Sequence, residues 1–89
     1  MMESVILTIS GRVQGVGFRY FVKQKADFLS ITGFVKNLPG RKVLVEAEGY
    51  SEPLQLFIAL CKQGPSHARV ENVDLQYCPL QYFEDFSIK

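Results

Sequence analysis

Residues 11–19 read Gly11-Arg12-Val13-Gln14-Gly15-Val16-Gly17-Phe18-Arg19, three glycines in seven positions between an apolar run and a helical pattern. A backbone without Cβ atoms at 11, 15 and 17 can turn sharply and aim successive N–H groups inward, as an anion nest does. The helix that follows adds the positive end of its dipole. Arg19, on its first turn, offers a planar fork that grips two phosphate oxygens more directionally than a lysine could. Two generic glycine loops fit poorly. No Gly-Lys-Ser/Thr run closes the segment as a Walker A loop requires, and Tyr20 stands where a dinucleotide fingerprint needs its third glycine.

Asn37 is the second chemically suggestive residue. It cannot act as a base at neutral pH, but its amide oxygen can accept a hydrogen bond from water while its NH₂ donates elsewhere, so it can orient a nucleophile. Phosphoryl transfer asks mainly that phosphorus be held, that charge on its oxygens be neutralised, and that the attacking oxygen be placed in line. A phosphate monoester leaves an alkoxide and usually calls for a metal or a general acid. An acyl phosphate leaves a carboxylate, stable near neutral pH, so amides, one Arg and one Asn suit activated substrates. Taken singly, each residue has an ordinary reading: glycines in a tight connection, a solvated surface arginine, a turn-forming asparagine before Pro39.

Taken together, the nonapeptide closely resembles the signature of the acylphosphatase family, small enzymes that hydrolyse the anhydride bond of carboxyl phosphates. Gly33-Phe34-Val35-Lys36-Asn37 is similar to that family's second signature, whose asparagine falls on Asn37. Gly64-Pro65, Ala68-Arg69-Val70 and Phe86-Ser87-Ile88 sit where the family has similar residues, so the resemblance spans essentially the whole chain. It implies Arg19 and Asn37 as catalytic residues and Val13, Gln14, Gly15, Val16, Gly17, Phe18 and Arg19 as the phosphate loop. Asn37 would place the attacking water, whose proton a phosphate oxygen of the substrate would receive, with no metal and no cofactor. One departure stands out. The family usually carries a glycine four residues after the asparagine, whereas here Gly40 comes third and Arg41 fourth, so a slightly different turn is expected. That departure is the sequence support for the alternative, a non-catalytic module binding phosphate or carbamoyl phosphate.

Composition bounds the rest. Eighty-nine residues at 47% hydrophobic content can form one domain, expected over 1–89, with stability on the order of 5–10 kcal/mol. Ten basic against nine acidic residues, with no long run of either sign, give no general attraction to nucleic acid or anionic lipid. Cys61, Cys78 and the lone His67 cannot assemble a conventional zinc site. Met1-Met2-Glu3-Ser4 opens with no basic region and is followed by a short apolar stretch, which fits neither a signal peptide nor a membrane span. The expectation is a cytoplasmic protein with reduced thiols, monomeric, acting on a small-molecule acyl phosphate without nucleic acid or membrane partners.

The elements that must position these residues follow from periodicity. Val5, Leu7 and Ile9 alternate with Ile6, Thr8 and Ser10 as a strand. Phe18, Phe21, Val22, Ala26 and Leu29 share one helical face. Residues 31–37 and 42–48 read as a hairpin around Leu38-Pro39-Gly40-Arg41, with Pro39 at the first corner. Ser51 is the expected N-cap of a second helix that carries Leu54, Phe57, Ile58 and Cys61 and ends at Gly64-Pro65. Residues 69–77 and 82–88 read as strands separated by the Cys78-Pro79 break. The order β-α-β-β-α-β plus a short tail strand predicts an α+β, ferredoxin-like sandwich with an antiparallel sheet and both helices on one face. RNA-recognition modules share this order but need aromatics on the exposed sheet face. Leu44, Glu46 and Glu48 are expected there instead, and Phe18, Tyr20, Phe21, Phe28 and Phe34 read as core. His67 reads as a surface residue.

Overall fold

The alternation that begins the chain forms β1 (Met2–Arg12), with Val5, Leu7 and Ile9 fully buried on one face. In the computed structural model, which describes residues 1–89, it is followed by α1 (Phe18–Leu29), β2 (Thr32–Leu38), β3 (Lys42–Tyr50), α2 (Ser51–Gln63), β4 (Arg69–Cys78) and β5 (Phe86–Ile88). The sheet order is β4-β1-β3-β2-β5. The pairs β1–β3, β1–β4 and β2–β3 are antiparallel, as the hairpin and the two crossovers require. The tail strand β5 pairs in parallel with the outer edge of β2, which makes the five-stranded sheet mixed.

Register fixes the two faces. Leu7 pairs with Val45, which pairs with Val35, and all three are fully buried. Under this face lie Phe18, Val22 and Ala26 of α1 and Leu54, Phe57, Ile58 and Cys61 of α2. Burial pushes the Cys61 thiol well above the ordinary thiol range, so it stays protonated. Neither Cys61 nor Cys78 is in a disulfide. No helix is long and apolar enough to cross a membrane.

Several local expectations need correction. Tyr50, not Ser51, is the N-cap of α2. Ser51 lies inside the first turn and its hydroxyl donates to the Met1 carbonyl at 3.1 Å, so it caps nothing. The last strand is trimmed to Phe86–Ile88 because residues 79–85 serve as a cover. The carboxylate of Glu48, expected on an open sheet face, is buried under that cover, where it accepts the N–H groups of Gln81 and Phe83. Phe18, Phe21 and Phe34 belong to packed surfaces, but Tyr20 and Phe28 point into solvent.

Candidate active site

Both β1 and β2 run antiparallel to the strand between them, β3, so their C-terminal ends lie at the same end of the sheet. The chain leaves β1 into the glycine loop there, and Asn37 is the penultimate residue of β2 at that end. Asn37 pairs with Val43, which pairs with Ile9, so it shares the helix-facing side of the sheet. Unlike those two neighbours it is exposed, because it lies beyond the cover of the helices.

Gly15 (φ 74°) and Gly17 (φ 78°) take left-handed backbone conformations. A Cβ at either would meet nothing within 4 Å, so the requirement is conformational rather than spatial. The consequence is a row of free donors. No backbone amide from Val13 to Tyr20 donates to a main-chain carbonyl, and the first helical bond runs from Phe21 N–H to the Gly17 carbonyl at 3.0 Å. No side chain caps the N-terminus of α1, and no acidic residue occupies its first turn.

The loop is fastened at both sides. Val13 and Phe18 anchor it in the core, each 1% exposed. The Gln14 side-chain NH₂ donates to the carbonyls of Leu38 and Lys42, both at 2.8 Å, tying the loop to the two ends of the hairpin turn. The Gln14 side chain thus fastens the loop to the hairpin, which its residue type alone did not disclose. Within that turn Gly40 (φ 80°) and Arg41 (φ 62°) are both left-handed. Arg41 thus takes up the conformation that a glycine would adopt more easily, and the β2–β3 register runs unbroken from Leu38–Lys42 to Thr32–Glu48.

Arg19 lies half-buried on the first turn of α1, and its Nη1 donates to the main-chain oxygen of Lys89 at 3.2 Å. The parallel addition of β5 makes this possible, because it brings Ile88 and Lys89 to the same end as Asn37. Lys23 Nζ holds β5 from below, donating to the Phe86 carbonyl at 2.9 Å and bridging to Asp27. The sequence pattern gave no sign of this wall, since three residues of strand carry too little periodicity to choose a partner.

A hollow of about 210 Å³ joins these parts, bordered by Gly15, Gly17, Arg19 and Asn37 and by the exposed Tyr20 and Ile88. Of the expected loop, Gln14 and Val16 face elsewhere: Gln14 borders a larger hollow of about 640 Å³ with Arg12, Arg41 and Glu71, and Val16 faces a third with His67 and Arg69. The larger hollow holds neither Arg19 nor Asn37, so the smaller is the candidate site. No group of three His, Cys, Asp or Glu side chains converges anywhere in the chain. The arrangement can surround a tetrahedral anion with amide donors and one guanidinium while an amide side chain stands across from them.

A family model described as Acylphosphatase matches residues 5–88. An acylphosphatase of Thermus thermophilus is 47% identical over 76 residues, 85% of this chain and 86% of that protein. One from Archaeoglobus fulgidus is 39% identical over 87 residues, 98% of each. The crystal structure of acylphosphatase from Bacillus subtilis matches with a TM-score of 0.95 at 37% identity, covering 100% of this chain and 99% of that one. Sequence and backbone agree over nearly the full length of each partner, and the chain belongs to the acylphosphatase family.

Proposed function

We propose that this chain is an acylphosphatase that hydrolyses the carboxyl-phosphate bond of small acyl phosphates. The amides of residues 13–19 and the Arg19 guanidinium hold the phosphoryl group, and Asn37 orients the attacking water. The observation that carries the reading is a run of amides from Val13 to Tyr20 without main-chain partners, in a loop whose Gly15, Gly17 and Arg19 border one hollow together with Asn37 from another element. Water oxygen bonds to phosphorus, the bond from phosphorus to the acyl oxygen breaks, and the electron pair leaves on the carboxylate. The water's proton goes to a phosphate oxygen. Fixed donors need no reorganisation as charge shifts between the oxygens, and the stable leaving group removes the need for a protein acid.

In the same reading residues 1–89 act as one monomeric unit that needs neither metal nor cofactor. The free thiols suit the reducing cytoplasm. The alternative of a non-catalytic phosphate or carbamoyl-phosphate module rested on the turn at Arg41, where Arg41 itself takes the left-handed conformation open to glycine. The test is hydrolysis of benzoyl phosphate in EDTA by the wild type beside Asn37→Ala. Turnover that survives chelation and falls by about 10²–10³ in the variant, with phosphate binding retained, supports the reading. Full activity in Asn37→Ala would sink the role of Asn37, and a wild type that binds phosphate without turnover would make the chain a binding module.

A further inference from the structure

The largest hollow of the chain, about 640 Å³, plays no part in the proposed hydrolysis, yet three separate segments build it. Arg12 comes from the end of β1, Arg41 from the hairpin turn and Glu71 from β4. Its volume lies within the roughly 300–1,000 Å³ usual for small-molecule sites. Its border is polar, and Val13, the one hydrophobic residue on it, is committed to the core.

The backbone places Glu71 there by a local departure from regular pairing. Ser10 pairs with Asn72 and Gly11 with Val70, so Glu71 is the extra residue of a β-bulge on an edge strand. Bulges bend a strand and re-aim a side chain. Gly11 (φ 125°) permits the close approach of β4, because a Cβ there would collide with the Arg69 carbonyl and the Glu71 amide. The next pair sets Arg12 directly opposite Arg69, and like charges so placed are destabilising. Neither arginine has a carboxylate to offset that. The only ion pair of the chain is Lys23–Asp27, so Arg12, Arg41 and Glu71 surround one hollow without closing on each other.

Two guanidiniums held apart around a polar hollow suit a phosphate group, which accepts from both forks. A carboxylate on the same border repels a bare anion but accepts hydrogen bonds from hydroxyl groups. The combination favours an anion that carries hydroxyls. We propose that this hollow, separate from that of Arg19 and Asn37, is a second binding site for a small sugar phosphate. Arg12 and Arg41 hold its phosphate and Glu71 accepts from its hydroxyls. A phosphate bridging the two arginines ties the end of β1 to the hairpin turn, alongside the tie that the Gln14 side chain already makes. The site stands whether or not the chain turns over acyl phosphates.

The experiment follows backbone amide shifts of the isotope-labelled chain during titration with ribose 5-phosphate and, separately, with inorganic phosphate. Ribose 5-phosphate should shift the amides of Gly11, Arg12, Gly40 and Glu71 saturably, whatever response Gly15 and Gly17 give in the other hollow. Arg12→Gln and Arg41→Gln should each weaken that saturation about fivefold, the upper range for an exposed ion pair, and weaken any response at Gly15 and Gly17 by less. Glu71→Ala should weaken ribose 5-phosphate several-fold yet tighten inorganic phosphate at the same amides, because a hydroxyl acceptor and a repelling charge disappear together. All three positions are exposed, and the amide spectrum itself reports that each variant is folded. No saturable shift at Arg12, Gly40 and Glu71 overturns the site, as do shifts that sodium chloride reproduces at equal ionic strength. Unchanged saturation in both arginine variants overturns it too. A Glu71→Ala variant that tightens both titrants alike overturns the assignment to a sugar phosphate.

Discussion

Replacing Glu48 with alanine should loosen the C-terminal strand and lower the stability of the whole chain. The Glu48 carboxylate is 1% exposed and accepts the Phe83 N–H at 3.2 Å together with the Gln81 N–H, with Tyr82 left-handed between them (φ 60°). Hydrogen bonds to a charged acceptor contribute about 1.5–3 kcal/mol each. The freed amides lie in an exposed loop where water can replace the carboxylate, so the low end applies, about 3 kcal/mol for the two. For a chain of this size about 1 kcal/mol moves Tm by 4–8 °C, which puts the loss at roughly 12–24 °C. Glu48→Gln keeps an acceptor oxygen without the charge and should lose about half as much. Thermal unfolding reads the total. Amide exchange locates it, because the Lys89 and Gly33 N–H groups donate at 2.8 Å to the Val35 and Asp85 carbonyls and report the docking of β5 and of the segment entering it. Both should exchange faster in Glu48→Ala than amides of β1. A variant within about 0.5 kcal/mol of wild type, the range of ordinary surface substitutions, or one with Lys89 exchange unchanged, would refute this account of what secures β5.

Two further substitutions probe the loop and the turn. Arg19→Lys keeps the charge but loses the fork, so kcat/KM and inhibition by inorganic phosphate should both weaken by about 10–100-fold, the worth of one charge-assisted hydrogen bond. A lysine variant with wild-type kinetics would show that charge alone suffices. Arg41→Gly relieves a left-handed conformation that costs an L residue about 1–2 kcal/mol, against about 0.5–1 kcal/mol of added freedom in the unfolded chain. Urea unfolding should show a net gain of about 0.5–1 kcal/mol. A loss instead would mean that the Arg41 side chain contributes to the turn.

Much of this layout is legible in the sequence. Two changes of period, at Phe18 and at Ile31, marked where strand gives way to helix and helix to strand, and glycines marked the loop and turn that link them. The candidate loop, Arg19 and Asn37 were visible because their types are chemically unusual at those places. What stayed hidden depended on contacts between distant segments. Alternation put Glu48 on the outer sheet face correctly, but nothing periodic in 79–85 said that this segment would fold over it. Helical spacing keeps Tyr20 and Phe28 off the buried stripe of Phe18, Val22 and Ala26, yet their aromatic character argued for burial. The side-chain ties from Gln14 to the hairpin and from Lys23 to β5 required the sheet order to be known.

The two helices show why loop and helix are best understood as one device. The first turn of α2 carries Glu52, a favourable charge for the positive end of a helix dipole. The first turn of α1 carries no acid, has a left-handed glycine as N-cap with no capping side chain, and sets Arg19 where a positive charge opposes the dipole. A capping side chain at such a position contributes about 1 kcal/mol, so α1 forgoes stability that an ordinary serine or aspartate would supply. A tetrahedral anion in the hollow would correct all three defects together, accepting from the uncapped amides, complementing the dipole and pairing with Arg19. Departures from local rules gather at functional sites because function sets a second requirement on the same residues. On the proposed reading, the second requirement is that the cap be the substrate rather than a side chain.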